Sequence, residues 1–248
     1  MDCQFSEMQF AFGLMNELVN NKFKSSKGWL TPTFPTQRKE RDLGYDLSIK
    51  GPVRTIFFQF KVSDKKIGTN SKYWTDYYKP YFIFKIWPDS VSQQHNNLKK
   101  LALSDPHNKV YYCAPRFYKN DDFDKHYKLG DIYRNSIYVP CGTLMTISGS
   151  DKHNIVYTDD HSDSPIMHSD KIKVESLDSE ALLQDVCEAK PYDNIYECLN
   201  KVQDLFELKY ENNNTRKDDE IEGPIDKYYN LSSQLQLNSD LTMLLLFG

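Results

Sequence analysis

The sequence predicts an α/β protein with a mixed central sheet flanked by helices, joined to a mainly α-helical C-terminal region. Two observations predict this fold class: strand-like and helix-like segments alternate over residues 1–117, and helical periodicity returns over residues 176–210. A chain of 248 residues is long enough for one buried domain plus an appendage. We therefore expect one domain over residues 1–145 and an acidic, mainly helical accessory region over residues 146–248.

The first elements of the predicted core follow from residue spacing. Residues 4–24 carry apolar side chains three and four apart, which indicates an amphipathic helix. Residues 45–49 alternate apolar and polar, Gly51 and Pro52 follow as a turn, and residues 55–62 are rich in β-branched and aromatic side chains. We therefore expect a hairpin of two strands joined at that turn.

Later segments continue the alternation, with Ser and Pro residues at their boundaries. The expected segments are a basic loop over 63–72, a strand over 81–87, a helix between 90 and 106, a strand over 109–117, an aromatic and acidic loop over 118–133, a strand over 135–139 and helices within 176–210. Five of the last six residues are apolar, so we expect this tail to dock on the protein or to bind a partner.

The charge is distributed unevenly along the chain. Residues 1–120 carry 19 Lys and Arg against 10 Asp and Glu, whereas residues 121–248 carry 12 against 25. An excess of cations suits a polyanion such as nucleic acid, and the acidic half suggests a protein partner or homo-oligomer contact. A merely solvated surface explains the same numbers.

The five cysteines are scattered without a C-x-x-C pair, which argues against a disulfide framework or a zinc knuckle. They are expected to be reduced thiols of the core. No window has the length and apolar character of a membrane span, and the N-terminus lacks the layout of a signal peptide. We therefore expect a soluble, cytoplasmic protein that does not bind a membrane.

The candidate site lies on the predicted hairpin. Gln59 and Lys61 are two residues apart on one strand and share a face, while Phe60 faces the opposite side. Burial disfavours two polar side chains in so apolar a strand unless a ligand or metal compensates. The hairpin brings Asp46, on the first strand, to the same edge. We therefore expect a hydrolytic site for a hard divalent cation there.

Chemistry suggests a role for each residue. Asp46 is an anionic ligand of the kind that Mg²⁺ or Mn²⁺ prefers, and Gln59 and the Phe60 carbonyl supply neutral oxygen ligands. Lys61 steadies an attacking water or the charge that develops on phosphorus. Glu7, on the first helix, is a candidate to complete the shell or to orient a water.

The motif resembles that of the PD-(D/E)XK nuclease superfamily, in which an acidic residue is followed by acidic-x-Lys on the next strand of an αβββαβ core. Here Asp46 is followed after twelve residues by Gln59-Phe60-Lys61. The string from Asp42 to Asp46 looks like the branch of Mrr-type restriction enzymes and related prokaryotic defence nucleases, where Gln commonly replaces the second acid. Tyr45 stands where the family has Pro. The resemblance covers residues 1–117.

This resemblance implies a restriction-endonuclease-like fold and an Mg²⁺-dependent endonuclease that hydrolyses DNA, as the effector of a bacterial anti-phage defence system. A catalytically inactive nuclease-fold module that binds nucleic acid or scaffolds a complex is the alternative. Further basic residues are candidates for nucleic-acid binding, although a solvated loop is an equal explanation for the last three: Arg38, Lys39, Lys65, Lys66 and Lys72. The irregular spacing of His153, His161 and His168 predicts loop histidines rather than a metal site.

Overall fold

The computed structural model describes residues 1–18, 50–168, 171–205, 224–239 and 242–247. The helices within these ranges are α1 (Glu7–Glu17), α2 (Trp74–Tyr77), α3 (Gln94–Ser104), α4 (Asn120–Leu129), α5 (Ser179–Glu188), α6 (Ile195–Leu205) and α7 (Pro224–Ser239). The strands are β1 (Lys50–Phe60), β2 (Asp64–Lys66), β3 (Tyr81–Ile86), β4 (Asn108–Pro115), β5 (Ser136–Pro140), β6 (His153–Tyr157), β7 (Ile166–His168), β8 (Ile172–Lys173), β9 (Tyr192–Asn194) and β10 (Thr242–Phe247). The mixed α/β character is as predicted.

The strands form two sheets. The central sheet has the order β10-β1-β4-β5, and β9 also pairs with β1. Its β1 and β4 are parallel and its other pairs are antiparallel, which makes it a mixed sheet. The outer sheet has the order β2-β3-β6-β7-β8 and is antiparallel throughout.

The central sheet is buried on both faces. On one face, Phe58 and Phe60 pack with residues of α1, α4 and α5. On the other, Phe57 and Tyr112 pack against the outer sheet, α3, α6 and α7. Burial on both faces explains why β1 is a nearly continuous apolar run, in which an uncompensated polar side chain is costly.

Helix α1 begins where the sequence predicts. The hydroxyl of Ser6 accepts a hydrogen bond from the backbone N–H of Gln9 and caps the first turn. Gly13 allows the close approach of the loop after α4, because a Cβ built there would lie 2.7 Å from Cδ1 of Ile132. A larger residue would therefore push α1 away from its neighbours.

The predicted hairpin turn at Gly51 and Pro52 is wrong. Strand β1 starts at Lys50 and runs through both residues. The ladder with β9 is irregular between Lys50 and Val53, so Pro52 sits where a missing N–H costs little. From Val53 to Phe58 the antiparallel neighbour of β1 is β10 instead of a preceding strand.

The acidic segment predicted as a loop over residues 118–133 is also different, because α4 occupies most of it. Asp121 and Asp122 lie in the first turn, where their negative charges interact favourably with the positive end of the helix dipole and stabilise α4. Gly130, at φ +64°, ends the helix in the left-handed conformation. Phe123 is the one buried side chain of α4, so the apolar stripe that sequence reasoning looks for is almost missing.

The other predicted elements among the described residues are confirmed within a few positions: the strands β3, β4 and β5 and the helices α3, α5 and α6. The basic loop over 63–72 contains the short β2. The apolar tail is docked on its own chain as β10, with Met243 and Leu245 buried. Strands from both sides of residue 145 share each sheet, so the described part of residues 146–248 is built into the core.

All five cysteines lie in the described ranges and are free thiols, and Cys113, Cys141 and Cys198 are buried as predicted. The predicted core position is wrong for Cys187, which is exposed. Among the helices that the structure describes, none has the length and apolar character needed to cross a membrane. The cytoplasmic location stays a prediction.

Candidate functional site

Gln59 lies near the C-terminal end of β1, with its Cα paired to that of Tyr112 on the parallel strand β4. Its side chain is 2% exposed. The Nε2 group donates a long hydrogen bond of 3.4 Å to the Phe60 carbonyl oxygen. Its Oε1 atom has no hydrogen-bond partner among the described residues. The polar side chain that the sequence singled out is therefore buried, and its oxygen is left unpaired by the described part of the chain.

The orientation of this amide follows from its neighbour. Because the Phe60 carbonyl can only accept, the amide nitrogen must point towards it and the oxygen must point away. A buried acceptor without a donor costs about 1–3 kcal/mol. A donor or a cation supplied from outside the protein would remove this cost.

Lys61 continues the pairing one residue beyond β1, since its N–H donates to the Cys113 carbonyl at 2.8 Å. It lines a cleft of about 380 Å³, which we call the β1 cleft. Glu7, at the start of α1, lines the same cleft, so the structure brings together these two predicted residues. Gln59 does not line the β1 cleft and is buried two residues earlier in the strand.

The β1 cleft carries charges of both signs and an exposed ring. Its other side chains include Asp64, Lys66, Lys85 and Trp87. Lys66 forms an ion pair with Asp64 at 3.2 Å, whereas Lys85 is exposed and has no ion pair with a described residue. Trp87 is 52% exposed, which is unusual for so large an apolar side chain. Cations beside an exposed ring are typical of surfaces that bind unpaired nucleic acid.

The predicted nucleic-acid-binding lysines are not gathered in one place. Lys65 is held 3.4 Å from Asp159 and lies 4.7 Å from the centre of the Phe82 ring. Lys72 lies 5.0 Å from the Tyr73 ring and lines a different cleft. Of the three described, only Lys66 lines the β1 cleft.

Three predicted residues, Asp46, Arg38 and Lys39, lie outside the described residues. The pairing of Asp46 with Gln59 therefore stays a prediction. The Phe60 carbonyl, predicted as a metal ligand, accepts the long hydrogen bond from Gln59, while the Phe60 ring packs edge-on to Phe10.

The oxygen ligands that the described residues offer match the needs of a hard divalent cation in part. Within the described ranges no three His, Cys, Asp or Glu side chains are grouped to hold a metal ion. Mg²⁺ needs fewer, because it is commonly bound by one or two carboxylates and keeps several waters. Glu7 and Asp64 supply carboxylates in the β1 cleft, and Gln59 supplies an unsatisfied oxygen nearby in the strand.

Two histidines predicted to lie in loops are instead strand residues. His153 is the first residue of β6 and His168 the last of β7. His168 Nε2 lies 3.0 Å from Oδ2 of Asp76, and the ring stacks on Tyr73 with ring centres 3.8 Å apart. Burial lowers the pKa of His168, which favours the neutral ring. The apolar run that follows His153 in the sequence is the signal that could have placed it in a strand.

His95, near the start of α3, contacts Tyr112 of the central sheet and Met145 of the segment between β5 and β6. Its Nδ1 lies 3.1 Å from the Tyr112 hydroxyl and its Nε2 2.9 Å from the Met145 carbonyl oxygen. Nε2 must donate to that carbonyl, so Nδ1 of the neutral ring accepts from Tyr112. Burial lowers the pKa of His95 and keeps the ring neutral.

Comparisons of the chain with protein-family models, with curated proteins and with solved structures find no match.

Proposed function

We propose that this protein is a metal-dependent nuclease that acts on DNA, with its site at the C-terminal end of β1. One observation carries the proposal. The Oε1 atom of Gln59 is buried and has no hydrogen-bond partner among the residues that the structure describes, and two residues further on Lys61 lines a cleft that Glu7 also lines. A metal-ligating oxygen and, two residues further along the strand, an ammonium group are two of the groups that metal-assisted hydrolysis of a phosphodiester uses.

The position of the site within the sheet supports the proposal. In open α/β sheets, ligands bind beyond the carboxyl ends of parallel strands. Gln59 and Lys61 lie at that end of β1, beside its parallel neighbour β4. Helix α3 leads into β4, which gives the helix-strand order that the resemblance implies.

Each residue then has a task. Gln59, together with Asp46 and a cleft carboxylate from Glu7 or Asp64, would hold the cation. When bound, a divalent cation lowers the pKa of an attacking water and polarises the scissile phosphate. Lys61 donates hydrogen bonds to the phosphate oxygens as their charge grows.

The walls of the β1 cleft suit a nucleic-acid strand. Lys66 and Lys85 would contact phosphates, and Trp87 would stack on a base that is unpaired. Glu7 and Asp64 lie on the same surface and would repel phosphate unless a cation is bound. Binding of DNA should therefore depend on the divalent cation.

The test is cleavage of plasmid and of single-stranded DNA by the full chain with Mg²⁺, Mn²⁺ or EDTA. We expect cleavage with either metal and none with EDTA. Lys61→Met and Asp46→Ala should each lower the rate about 100-fold or more. Lys128→Met, which changes an exposed lysine on α4, is the matched control and should keep full activity.

Two outcomes would contradict the proposal in different ways. Cleavage that persists in Lys61→Met and in Asp46→Ala would place the active site elsewhere. DNA binding with no cleavage under any metal condition would favour the non-catalytic module instead.

A further inference from the structure

A second and larger cleft lies at one end of the outer sheet, with a volume of about 770 Å³. We call it the lysine cleft. Its lining includes Lys72, Tyr73, Ser148, Lys152, His153 and His168. Ligand sites typically have volumes of about 300–1,000 Å³, so this cleft has the size of a small-molecule site.

His153 is a buried polar side chain in the lining of this cleft. It is 4% exposed, and neither ring nitrogen has a hydrogen-bond partner among the described residues. A neutral imidazole carries one donor and one acceptor, so two groups are left unpaired. Leaving both unpaired is costly, and a ligand with a donor and an acceptor would remove the cost.

The charges of the lysine cleft favour an anion. Lys72 and Lys152 form no ion pair with any described carboxylate, and Asp151 is the one acidic residue in the lining. A further acid, Asp76, contacts His168 of the lining at 3.0 Å and forms an ion pair with Lys171 at 2.7 Å.

One wall of the cleft is aromatic and fixed. The Tyr73 ring is stacked on His168, and its hydroxyl accepts a hydrogen bond of 3.3 Å from Nδ2 of Asn154. A rigid ring limits the entropy lost on binding. Ser148 adds a hydroxyl that can donate to or accept from a ligand. Cations, hydroxyl groups, an imidazole and an aromatic wall together fit a phosphate ester with an organic part.

We propose that the lysine cleft binds a small phosphate ester of nucleotide size. Lys72 and Lys152 meet its phosphate, and His153 forms hydrogen bonds with its organic part. This site is separate from the β1 cleft, and the two share no lining residue. The proposal therefore stands whether or not the protein is a nuclease.

The test is calorimetric titration of the full chain with adenosine 5′-monophosphate, adenosine and inorganic phosphate. We expect the monophosphate to bind and each of the two fragments to bind at least 10-fold more weakly. Lys72→Ala and Lys152→Ala should each weaken binding of the monophosphate about 10-fold, because each removes a charge-assisted contact. Lys128→Ala is the matched control and should leave it unchanged.

A second readout addresses His153 directly. In nitrogen-detected NMR of the imidazoles, the His153 ring signals should shift on addition of the monophosphate, and the signals of His126 should not. No binding of the monophosphate at millimolar concentration would overturn the proposal. Equal binding of inorganic phosphate would overturn the nucleotide-size part, and binding that survives both lysine substitutions would overturn the site.

Discussion

Gln59 in the central sheet and His153 in the outer sheet are both buried polar side chains with unpaired atoms. Their surroundings differ. The cleft beyond Gln59 holds the carboxylates Glu7 and Asp64 beside its lysines, which suits a cation together with a phosphate. The cleft at His153 has two lysines without ion pairs to described residues, which suits an anion alone.

The difference teaches that an unsatisfied polar atom marks a site, whereas the charges around it indicate the ligand. Buried polar groups are nearly always hydrogen-bonded, so each exception calls for an explanation. Thr55 on β1 shows the usual case, because its hydroxyl reaches both the His107 carbonyl at 3.3 Å and Asn108 Oδ1 at 3.1 Å. Gln59, four residues along the same strand, has no such partner for its Oε1 atom within the described ranges.

The largest effect should come from breaking the edge that supports β1. Leu245 of β10 is buried and pairs with Thr55, so Leu245→Asp places a charge in the core. We expect the free energy of unfolding to fall by about 4 kcal/mol or more. Urea denaturation measures it, with Ser233→Asp on the exposed side of α7 as the control.

Both sheets contribute to one apolar cluster, so Leu245→Asp should disrupt the two clefts together. Retention of phosphate-ester binding in a variant whose central sheet has unfolded would show that the two sheets fold independently. Gln59 and His153 would then lie in separate domains.

The next effect concerns Gln59 itself. Gln59→Leu removes an unpaired buried oxygen with little change of shape, so we expect stability to rise by about 1–3 kcal/mol while cleavage is lost. His153→Leu should also stabilise the protein in the absence of ligand. Thr55→Val removes satisfied hydrogen bonds and should instead destabilise it by about 1 kcal/mol.

Thermal unfolding of the three variants in the absence of metal and ligand separates these cases. Loss of stability in Gln59→Leu would show that its side chain is a structural element, and the interpretation of Gln59 as a site residue would then be wrong.

The stability of the protein should depend on pH through His95, which contacts Tyr112 of the central sheet and Met145 in the lining of the lysine cleft. Burial lowers the pKa of His95 below its ordinary value of 6.5, so the folded state holds the ring neutral. Above pH 6.5 both states are neutral and stability is complete. As the pH falls below 6.5 the unfolded chain gains a proton first, and stability declines. The urea midpoint should therefore drop between pH 7.5 and 5.5, and it should drop less in His95→Gln.

The comparison for the pH experiment is His161→Gln, because burial also lowers the pKa of His161 although that residue is exposed. We expect His161→Gln to change the pH profile less than His95→Gln. If the two variants show the same pH profile as the native protein, His95 is not the titrating group. The hydrogen bonds of His95 to Tyr112 and Met145 would then need a different protonation state.

The smallest effect distinguishes lysines that the sequence treats alike. Lys85 is exposed in the β1 cleft, whereas Lys65 is held by Asp159 and Phe82. We expect Lys85→Ala to reduce the salt dependence of DNA binding by about one unit of slope, and Lys65→Ala to change it little. Fluorescence anisotropy over a salt series measures both, and equal slopes would contradict the assignment of the β1 cleft as the DNA surface.

Much of the local structure could be predicted because it depends on neighbouring residues. The apolar spacing before Glu17 and the Ser6 cap determine α1, and the aromatic run over Tyr81–Ile86 determines β3. Helix α4 was missed because one buried side chain, Phe123, gives almost no periodic signal. The Gly51-Pro52 turn was wrong because Pro tolerates an irregular strand position as well as a turn.

The sequence by itself determined that Gln59 and Lys61 share one end of an apolar strand, since strand alternation is a local property. Only the tertiary structure decided that β10 lies beside that strand, that Glu7 meets Lys61 in a cleft, and that His153 is buried. These facts depend on residues far apart in the chain, whose meeting is set by packing of the whole core rather than by any local pattern.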